Sequence, residues 1–241
     1  MQEELEVEAL GQPSPKWFDT VNARLEGRTP QDVLSFGLDT YGTNISLASS
    51  FGAEDLCLVD MLSRLGRPFR VFYLDTDVLF QETYETIARA ERHYGQTFER
   101  YTPLLTLEEQ AAQHGEALWS SNPDACCGIR KVEPLRRALR DLSAWITGIR
   151  RDQTPARATA RLVEWDARNN LIKLNPLAAW SNEDVWTYIR ENNVPYNPLH
   201  DQGYPSVGCM HCTRPVRPGE DPRAGRWAGF AKTECGLHSD H

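Results

Sequence analysis

Short apolar runs alternate with amphipathic stretches through the middle of the chain. The runs at 44–49, 69–74, 144–149 and 171–174 have the length and composition of buried strands. Strands separated by helices are typical of parallel βαβ units, so the pattern predicts an α/β fold with a parallel sheet flanked by helices. The helices are predicted at about 17–25, 29–41, 54–65, 81–94, 132–142 and 181–192.

Polar residues mark several helix ends in the sequence. Thr29 is followed three residues later by Asp32, and Ser181 by Asp184. A hydroxyl residue followed at this spacing by an acid is typical of a helix N-terminus. Gly95 stands where the helix predicted over 81–94 should stop, because glycine tolerates the left-handed conformation common after a last turn.

The patterns divide the chain into three parts. Residues 1–28 form a polar N-terminal extension that includes the first predicted helix, and residues 29–205 carry the predicted βα units. Residues 206–241 are rich in proline, glycine and polar side chains. Such a composition cannot sustain regular helix or sheet, so we expect an irregular C-terminal segment with a mobile end.

Composition narrows the function classes. The chain has 241 residues, enough for one sizeable core, and a formal net charge of −8, which argues against nucleic-acid binding. No apolar run approaches the ~18 residues of a membrane span, and the acidic start of the chain does not resemble a signal peptide. We therefore expect a cytoplasmic protein, in which six cysteines favour metal binding or redox chemistry over disulfides.

Three loops at the carboxyl ends of predicted strands are candidate binding segments, because ligands of open parallel sheets bind at that edge. The loop at 49–55 contains small residues, which suit either an anion-binding turn or an ordinary tight connection. Asp75 and Asp77 suit ribose hydroxyls or the cap of the next helix. The arginine-rich loop at 148–157 favours local anion binding over a merely solvated face, since the rest of the chain is acidic.

Two cysteine pairs are the strongest chemical signal. Cys126 and Cys127 are adjacent, and Cys209 and Cys212 form a C-x-x-C motif. Four thiolates fit a tetrahedral zinc or an iron–sulfur cluster, although an adjacent pair is awkward for one small ion. Four unliganded buried thiols are the plain alternative. Lys131 follows at helical spacing, where it attracts anions or is simply a surface lysine.

The remaining two cysteines have different surroundings. Cys57 lies among apolar residues of a predicted helix and is interpreted as part of the core. Cys235 lies near the end of the chain with Lys232 and His238, which favour a reactive thiolate, whereas Glu234 opposes one. An incidental thiol is the alternative interpretation of Cys235.

Taken together, these motifs resemble the thioredoxin-dependent assimilatory adenylyl-sulfate (APS) reductases, which are related to the phosphoadenylyl-sulfate (PAPS) reductases. The resemblance covers the chain from about Thr29 to His241 and implies an adenine-nucleotide α-hydrolase-like fold, akin to that of the ATP pyrophosphatases. Two features depart from it: Asp77 replaces a glycine common after Leu-Asp-Thr, and the stretch at 226–235 is short. The matching segments are SSFGAED at 49–55, LDT at 74–76, CCGIRK at 126–131, WITGIRRDQ at 145–153, CMHC at 209–212, GEDPRAGRW at 219–227 and KTECGLH at 232–238.

The resemblance also implies residue roles. Cys235 would be the catalytic nucleophile, and one [4Fe-4S] cluster per chain would be held by Cys126, Cys127, Cys209 and Cys212. The substrate's sulfate and phosphate would contact Lys131, Arg157, Arg223, Arg226 and His238. The adenosine would be held by segments that contain Ser49, Ser50, Phe51 and Gly148.

The implied reaction is the reduction of adenosine 5'-phosphosulfate to sulfite and AMP through an S-sulfonate on Cys235. Thioredoxin would be the reductant and would form a transient mixed disulfide with that cysteine, in assimilatory sulfate reduction and cysteine biosynthesis. The alternatives are a PAPS reductase with an iron–sulfur cluster and a zinc-stapled nucleotide-binding module. An ATP pyrophosphatase-like transferase is disfavoured, because the segment at 49–55 departs from its pyrophosphate loop. A homo-oligomer is compatible with the sequence.

Overall fold

A six-stranded sheet forms the centre of the computed structural model, which describes residues 12–232 and 234–237. Neighbouring strands are parallel except for β5 and β6, which pair antiparallel at one edge. The strand order is β3-β2-β1-β4-β6-β5. The strands are β1 Ile45–Ala48, β2 Val71–Leu74, β3 Glu99–Tyr101, β4 Ala144–Ile146, β5 Val163–Asp166 and β6 Leu171–Leu174.

Helices connect and cover these strands. A π-helical turn, Gly128–Val132, joins α7 to α8, and short 3-10 turns occur at Pro155–Arg157, Pro198–Gln202 and Met210–Cys212. Among the described residues, none of the helices has both the length and the apolar character to cross a membrane. The α-helices are α1 Pro15–Leu25, α2 Pro30–Tyr41, α3 Ala53–Arg64, α4 Gln81–Tyr94, α5 Leu107–His114, α6 Leu118–Ser121, α7 Pro123–Cys127, α8 Glu133–Leu139 and α9 Asn182–Asn192.

Local capping explains where several helices begin. Thr29 caps α2 and Ser181 caps α9, each in a reciprocal capping box with the acid three residues later, as the sequence predicts. Gly95 ends α4 in the left-handed region with φ of 62°, which also confirms the prediction. Thr106 forms a third capping box at α5, a helix that the sequence analysis did not predict.

The sheet is buried on both faces, as expected where helices cover a parallel sheet. Alternate residues of β2 point to opposite faces, so Val71 joins the larger apolar cluster and Phe72 a smaller one with Trp145 and residues of α8. Leu237, near the end of the described chain, packs against the smaller cluster. The C-terminal segment is therefore connected to the core of the fold.

The sheet order positions a cleft. From β1 the chain forms β2 and β3 on one side and then crosses to β4 on the other side of β1. Loops that follow β1 and β4 leave the sheet edge in opposite directions at such a switch point, and ligands of open α/β sheets bind there.

Three parts of the structure differ from the sequence prediction. The strands β3 and β5 and the helices α5 to α7 were not predicted, and β5 makes one edge antiparallel. The predicted helix over 132–142 is the shorter α8, preceded by the π-helical turn. The prediction of an irregular C-terminal segment is confirmed: the described residues after Gly203 contain one 3-10 turn and isolated bridges only.

Candidate active site and cysteine pocket

A cavity of about 660 Å³ lies at the carboxyl ends of β1, β2 and β4. Loops from the sheet form one side of this cavity and the C-terminal segment forms the other. His238, also expected at the site, lies outside the described residues. The other expected catalytic and substrate-binding residues all line the cavity: Ser49, Ser50, Phe51, Lys131, Gly148, Arg157, Arg223, Arg226 and Cys235.

The loop after β1 is held by its own hydrogen bonds. The Ser50 backbone N–H and hydroxyl donate to Asp55 Oδ2 at 2.6 and 2.8 Å, and the Phe51 N–H donates to Ser49 Oγ at 3.1 Å. Phe51 adopts the left-handed region with φ of 57°. Gly52 caps α3 without a side-chain hydrogen bond and lines the cavity, and the first turn of α3 carries the acids Glu54 and Asp55.

Gly148 clamps the loop after β4 onto this first loop. A Cβ at Gly148 would lie 2.5 Å from Asp55 Oδ1 and 2.9 Å from Glu54 Cβ, so only glycine fits the contact. Burial raises the pKa of the Asp55 carboxyl to about 6, while the hydrogen bonds from Ser50 oppose that increase. The two loops therefore form one rigid wall of the cavity.

Two arginines of the arginine-rich loop, Arg150 and Arg157, line the cavity, whereas Arg151 does not. Arg150 pairs with Glu54 at 3.0 Å and with Asp152, and Arg151 Nε donates to a backbone carbonyl. Arg157 is different, because its Nη2 lies 2.7 Å from Glu234 on the opposite side of the cavity. The expectation of local anion binding thus narrows from the whole loop to Arg157.

Asp75 and Asp77, which follow β2, neither line the cavity, as a contact to ribose hydroxyls would require, nor cap the next helix. Asp75 is buried and accepts hydrogen bonds from Tyr84 at 2.7 Å and from Arg100 at 2.8 Å. Asp77 accepts from the buried Arg130 at 3.0 Å, with φ of 58°, a backbone region that favours glycine. The pair with Arg130 gives Asp77 a structural reason to replace glycine.

The C-terminal segment brings Cys235 to the cavity. Arg168 Nη1 donates to the Gly236 carbonyl at 2.6 Å. Lys232, expected beside the thiol, pairs instead with Asp124 and lies over the ring of Trp227. The lysine that lines the cavity together with Cys235 is Lys131, not Lys232.

Lys131 lies between the cavity that contains Cys235 and the pocket of the four paired cysteines. It lines both the cavity and the pocket of the four paired cysteines. Burial by itself would lower the pKa of the Lys131 ammonium, but the charges that Cys209 and Cys235 can carry raise it, and the pKa is raised overall. Lys131 is therefore a cation at neutral pH, placed to attract both thiolates and an anionic ligand.

Two further arginines complete the cation set. Arg226 donates to Ser206 Oγ at 2.9 Å, its guanidinium lies 4.6 Å from the Trp227 ring centroid, and its Nε is buried without a partner. Arg223 Nη2 lies 3.3 Å from Glu234, and burial lowers the pKa of Arg223. Guanidinium groups held in place in this way are suited to sulfate or phosphate oxygens.

The four paired cysteines line one small pocket behind the cavity. The first pair ends α7, the second spans the 3-10 turn at 210–212, and the rings of Trp119 and His211 stack there with centroids 4.1 Å apart. Burial raises the pKa of Cys127 and of Cys212 to about 11. Those two thiols are therefore neutral at pH 7 unless something positive binds them.

The donor set fits a thiolate-held metal group. Four sulfurs face one pocket, Lys131 and Arg130 lie beside it, and binding would release the protons of the buried thiols. As positioned, however, the side chains described in 12–232 and 234–237 contain no group of three or more His, Cys, Asp or Glu arranged around a single metal ion. The pocket is thus a candidate by its chemistry, with Cys126, Cys127, Cys209 and Cys212 as the residues that would hold the group.

Four residues shape the site in ways that the sequence analysis did not assign to them. Glu54 and Asp55 fix the loop contacts, and Trp227 lines both the cavity and the cysteine pocket. Glu234 appeared only as an acid that opposes the Cys235 thiolate, whereas its carboxylate is bound by two arginines. Its position next to Cys235 was a usable signal, but nothing in the sequence indicated the partners.

Comparison with known proteins gives consistent matches. Residues 44–215 match the family model described as the phosphoadenosine phosphosulfate reductase domain. A protein of Shouchella clausii (strain KSM-K16) named adenosine 5'-phosphosulfate reductase is 47% identical over 224 residues, which are 92% of this chain and 92% of that protein.

Solved structures agree with the predicted fold class. The phosphoadenylyl-sulfate (PAPS) reductase of Candida auris, solved as a phosphate complex, has a TM-score of 0.76 and 34% identity, over 84% of this chain and 98% of that chain. FMN adenylyltransferase of Candida glabrata with FAD and pyrophosphate has a TM-score of 0.59 over 91% of this chain and 74% of that chain. Its 16% identity supports the shared fold alone. The predicted adenine-nucleotide α-hydrolase-like α/β fold is confirmed.

Proposed function

The chain belongs to the phosphoadenosine phosphosulfate reductase domain family, and from that premise we propose that it reduces adenosine 5'-phosphosulfate to sulfite and AMP. One observation carries this choice: Cys235 lines the same cavity as the loop after β1 and the cations Lys131, Arg157 and Arg223. A thiol facing fixed positive charges is suited to attack an anionic sulfur centre.

Substrate binding follows from the two sides of the cavity. The adenosine would lie along the loops that contain Ser49, Ser50, Phe51 and Gly148. The phosphosulfate would lie toward the cations Lys131, Arg157, Arg223 and Arg226, with His238 as a further proposed contact. These cations offset the repulsion between a thiolate and the sulfate oxygens, and they stabilise the charge that builds on the departing phosphate.

The reaction proceeds in three displacements. The Cys235 thiolate attacks the sulfate sulfur, the bond from sulfur to the phosphate oxygen breaks, and AMP leaves with that electron pair. The product is an S-sulfonate on Cys235. A thioredoxin thiolate then attacks the Cys235 sulfur, and sulfite leaves with the electrons of the S–S bond. The second thioredoxin cysteine resolves the mixed disulfide, so the dithiol supplies both electrons.

We also propose one [4Fe-4S] cluster per chain, held by Cys126, Cys127, Cys209 and Cys212. When bound, the cluster would supply a covalent link between α7 and the C-terminal segment, together with a local electrostatic field. Lys131 is suited to the space between the cluster and the substrate, because it lines both pockets. A cytoplasmic location, a place in assimilatory sulfate reduction and the division into 1–28, 29–205 and 206–241 belong to the same proposal.

A second candidate is PAPS reduction. It is favoured by the likeness to the Candida auris structure, whose protein is named phosphoadenylyl-sulfate (PAPS) reductase. The two candidates share the reaction at sulfur and differ in the 3'-phosphate, which needs its own cationic contacts. Turnover measured with each nucleotide at equal concentration distinguishes them.

The experiment compares anaerobically purified wild type with Cys235→Ser, assayed for sulfite with thioredoxin and each nucleotide. We expect Cys235→Ser to lose sulfite release with both nucleotides while its iron content is unchanged. Cys57→Ser is the matched control, because Cys57 is a buried core thiol away from the cavity. Sulfite release by Cys235→Ser at the wild-type rate would reject the proposed nucleophile.

A further inference from the structure

We propose that Glu234 is a positioning residue whose carboxylate fills the substrate's anion subsite when the cavity is empty. The subsite is formed by Arg157 and Arg223, and an incoming sulfate or phosphate group displaces Glu234 from it. The inference rests on the proposed function, because it assumes that the ligand of this cavity carries such a group. It adds a competition between substrate and protein for the same two arginines.

The geometry of Glu234 is that of a bound anion. Its Oε2 lies 2.7 Å from Arg157 Nη2 and 3.3 Å from Arg223 Nη2, so one oxygen is shared by two guanidinium groups. The side chains of Arg157 and Glu234 are only 9% and 17% exposed. A sulfate or phosphate oxygen has the charge and hydrogen-bonding character to replace this carboxylate oxygen.

The contact between Glu234 and Arg157 leaves one buried hydrogen-bonding atom of each residue without a partner. Arg157 Nε is buried without a partner, and so is Glu234 Oε1. A tetrahedral oxyanion presents three or four oxygens, so it can reach a donor that the planar carboxylate does not. The exchange thus replaces an incompletely satisfied internal pair by a better satisfied one, which favours displacement by the ligand.

Charge explains why an internal anion is needed at all. Arg157 and Arg223 both line the cavity with side chains that are only 9% and 19% exposed, so their mutual repulsion is screened less than at the surface. The Glu234 carboxylate offsets that repulsion in the empty protein. In turn, the two arginines offset the negative charge of Glu234, which lies next to Cys235 in the chain and would otherwise disfavour its thiolate.

The exchange is local, because other contacts hold the segment on both sides of Glu234. Lys232 pairs with Asp124, Arg168 binds the Gly236 carbonyl, and Leu237 packs against the smaller apolar cluster. Displacement of one side chain therefore leaves Cys235 near the cavity. Binding of the anion and presentation of the nucleophile are coupled through adjacent residues of one chain segment.

The test measures the affinity of the purified holoprotein for inorganic phosphate and for AMP by calorimetry. Glu234→Gln removes the competing charge, so we expect both ligands to bind about 10-fold more tightly than to wild type. Glu234→Asp keeps the charge and should restore the wild-type affinity. Glu99→Gln is the matched control, since Glu99 pairs with Arg70 away from the cavity and should leave both affinities unchanged.

Steady-state kinetics supply a readout that a merely structural role would not move. Glu234→Gln should lower the KM for the sulfonucleotide while kcat does not rise. Equal or weaker phosphate and AMP binding in Glu234→Gln would overturn the inference, whatever the turnover. If neither sulfonucleotide is reduced but phosphate still binds more tightly to Glu234→Gln, the proposed function fails and the anion subsite stands.

Discussion

The two sides of the cavity are built in different ways. The strand-end wall consists of the loops at 49–55 and 148–157, which follow β1 and β4 and are held by buried hydrogen bonds and one close glycine contact. The C-terminal wall, residues 205–232 and 234–237, has almost no regular structure and is held by ion pairs, isolated backbone hydrogen bonds and a few apolar contacts. The sheet determines the first wall, whereas the second depends on particular side chains.

This difference indicates what the cysteine pocket contributes. Short irregular segments bury too little apolar surface to be stable by themselves and usually need a covalent or metal-based staple. Cys209 and Cys212 belong to the C-terminal wall, and Cys126 and Cys127 belong to α7 beside it. A group bound by all four would fix the wall that the sheet does not reach.

The largest expected effect comes from breaking that staple. Cys209→Ala should lose the bound metal and sulfite release completely, because three thiolates and a disordered wall remain. AMP should still bind, although more weakly, since the strand-end wall is independent of the pocket. Metal analysis and AMP calorimetry measure the two outcomes. Cys57→Ala is the control and should keep its metal; full metal content in Cys209→Ala would remove that residue from the ligand set.

The second effect concerns the strand-end wall and pH. The folded pKa of Asp55 is raised to about 6, above an unfolded value near 3.9, so its neutral form is favoured by folding. The corresponding stability is fully present below about pH 4 and is lost as pH rises through about 6, with at most about 3 kcal/mol at stake. Denaturant unfolding of wild type and Asp55→Asn between pH 4.5 and 7.5 should show wild type losing stability relative to the variant. If the free energies of unfolding of the two proteins changed in parallel with pH, the raised pKa of Asp55 would be contradicted.

The third effect tests the glycine contact between the two loops of the strand-end wall. Gly148→Ala forces its Cβ against Asp55 and Glu54, and overpacking of this kind costs about 1–3 kcal/mol. Chemical denaturation measures the loss. Gly128→Ala is the matched control, because no atom lies within 4 Å of its added Cβ. Equal stability of the two variants would show that the loops are not clamped at Gly148.

The smallest effect tests an apolar contact of the C-terminal wall. Leu237→Ala removes contacts with the smaller apolar cluster, which should weaken packing of the C-terminal segment against the core by about 1 kcal/mol. Because that packing holds Cys235 at the cavity, sulfite release should slow roughly 5-fold. Steady-state assays with thioredoxin measure the rate. Leu104→Ala is the control, since Leu104 is 71% exposed and should change nothing. A wild-type rate in Leu237→Ala would show that this contact does not position Cys235.

Sequence reasoning predicted the regular helices and strands better than the C-terminal wall, for a physical reason. Periodicity and capping residues are local signals, so β6, α2 and α9 were located to within a residue or so. The T-x-x-E signature of Thr106 and Glu109 also indicated α5 and was overlooked. Strand β3 has three residues, too few for a pattern.

The ion pairs that join the C-terminal wall to the rest of the fold are long-range and leave no local trace in the sequence. Glu234 meets an arginine 77 positions earlier in the sequence, and Lys232 meets an acid 108 positions earlier. The same applies to the contact of Gly148 with Asp55, since glycine is common in any loop. Such pairings arise from the fold as a whole and become visible only when the chain is folded.

The central claim is that Cys235 accepts the sulfonate group from a bound sulfonucleotide. The most direct measurement is mass spectrometry of the holoprotein after incubation with adenosine 5'-phosphosulfate in the absence of thioredoxin. We predict one added sulfonate per chain on the peptide that contains Cys235, released as sulfite when thioredoxin is added. A sulfonate on another cysteine, or release of sulfite without any adduct at Cys235, would contradict the account.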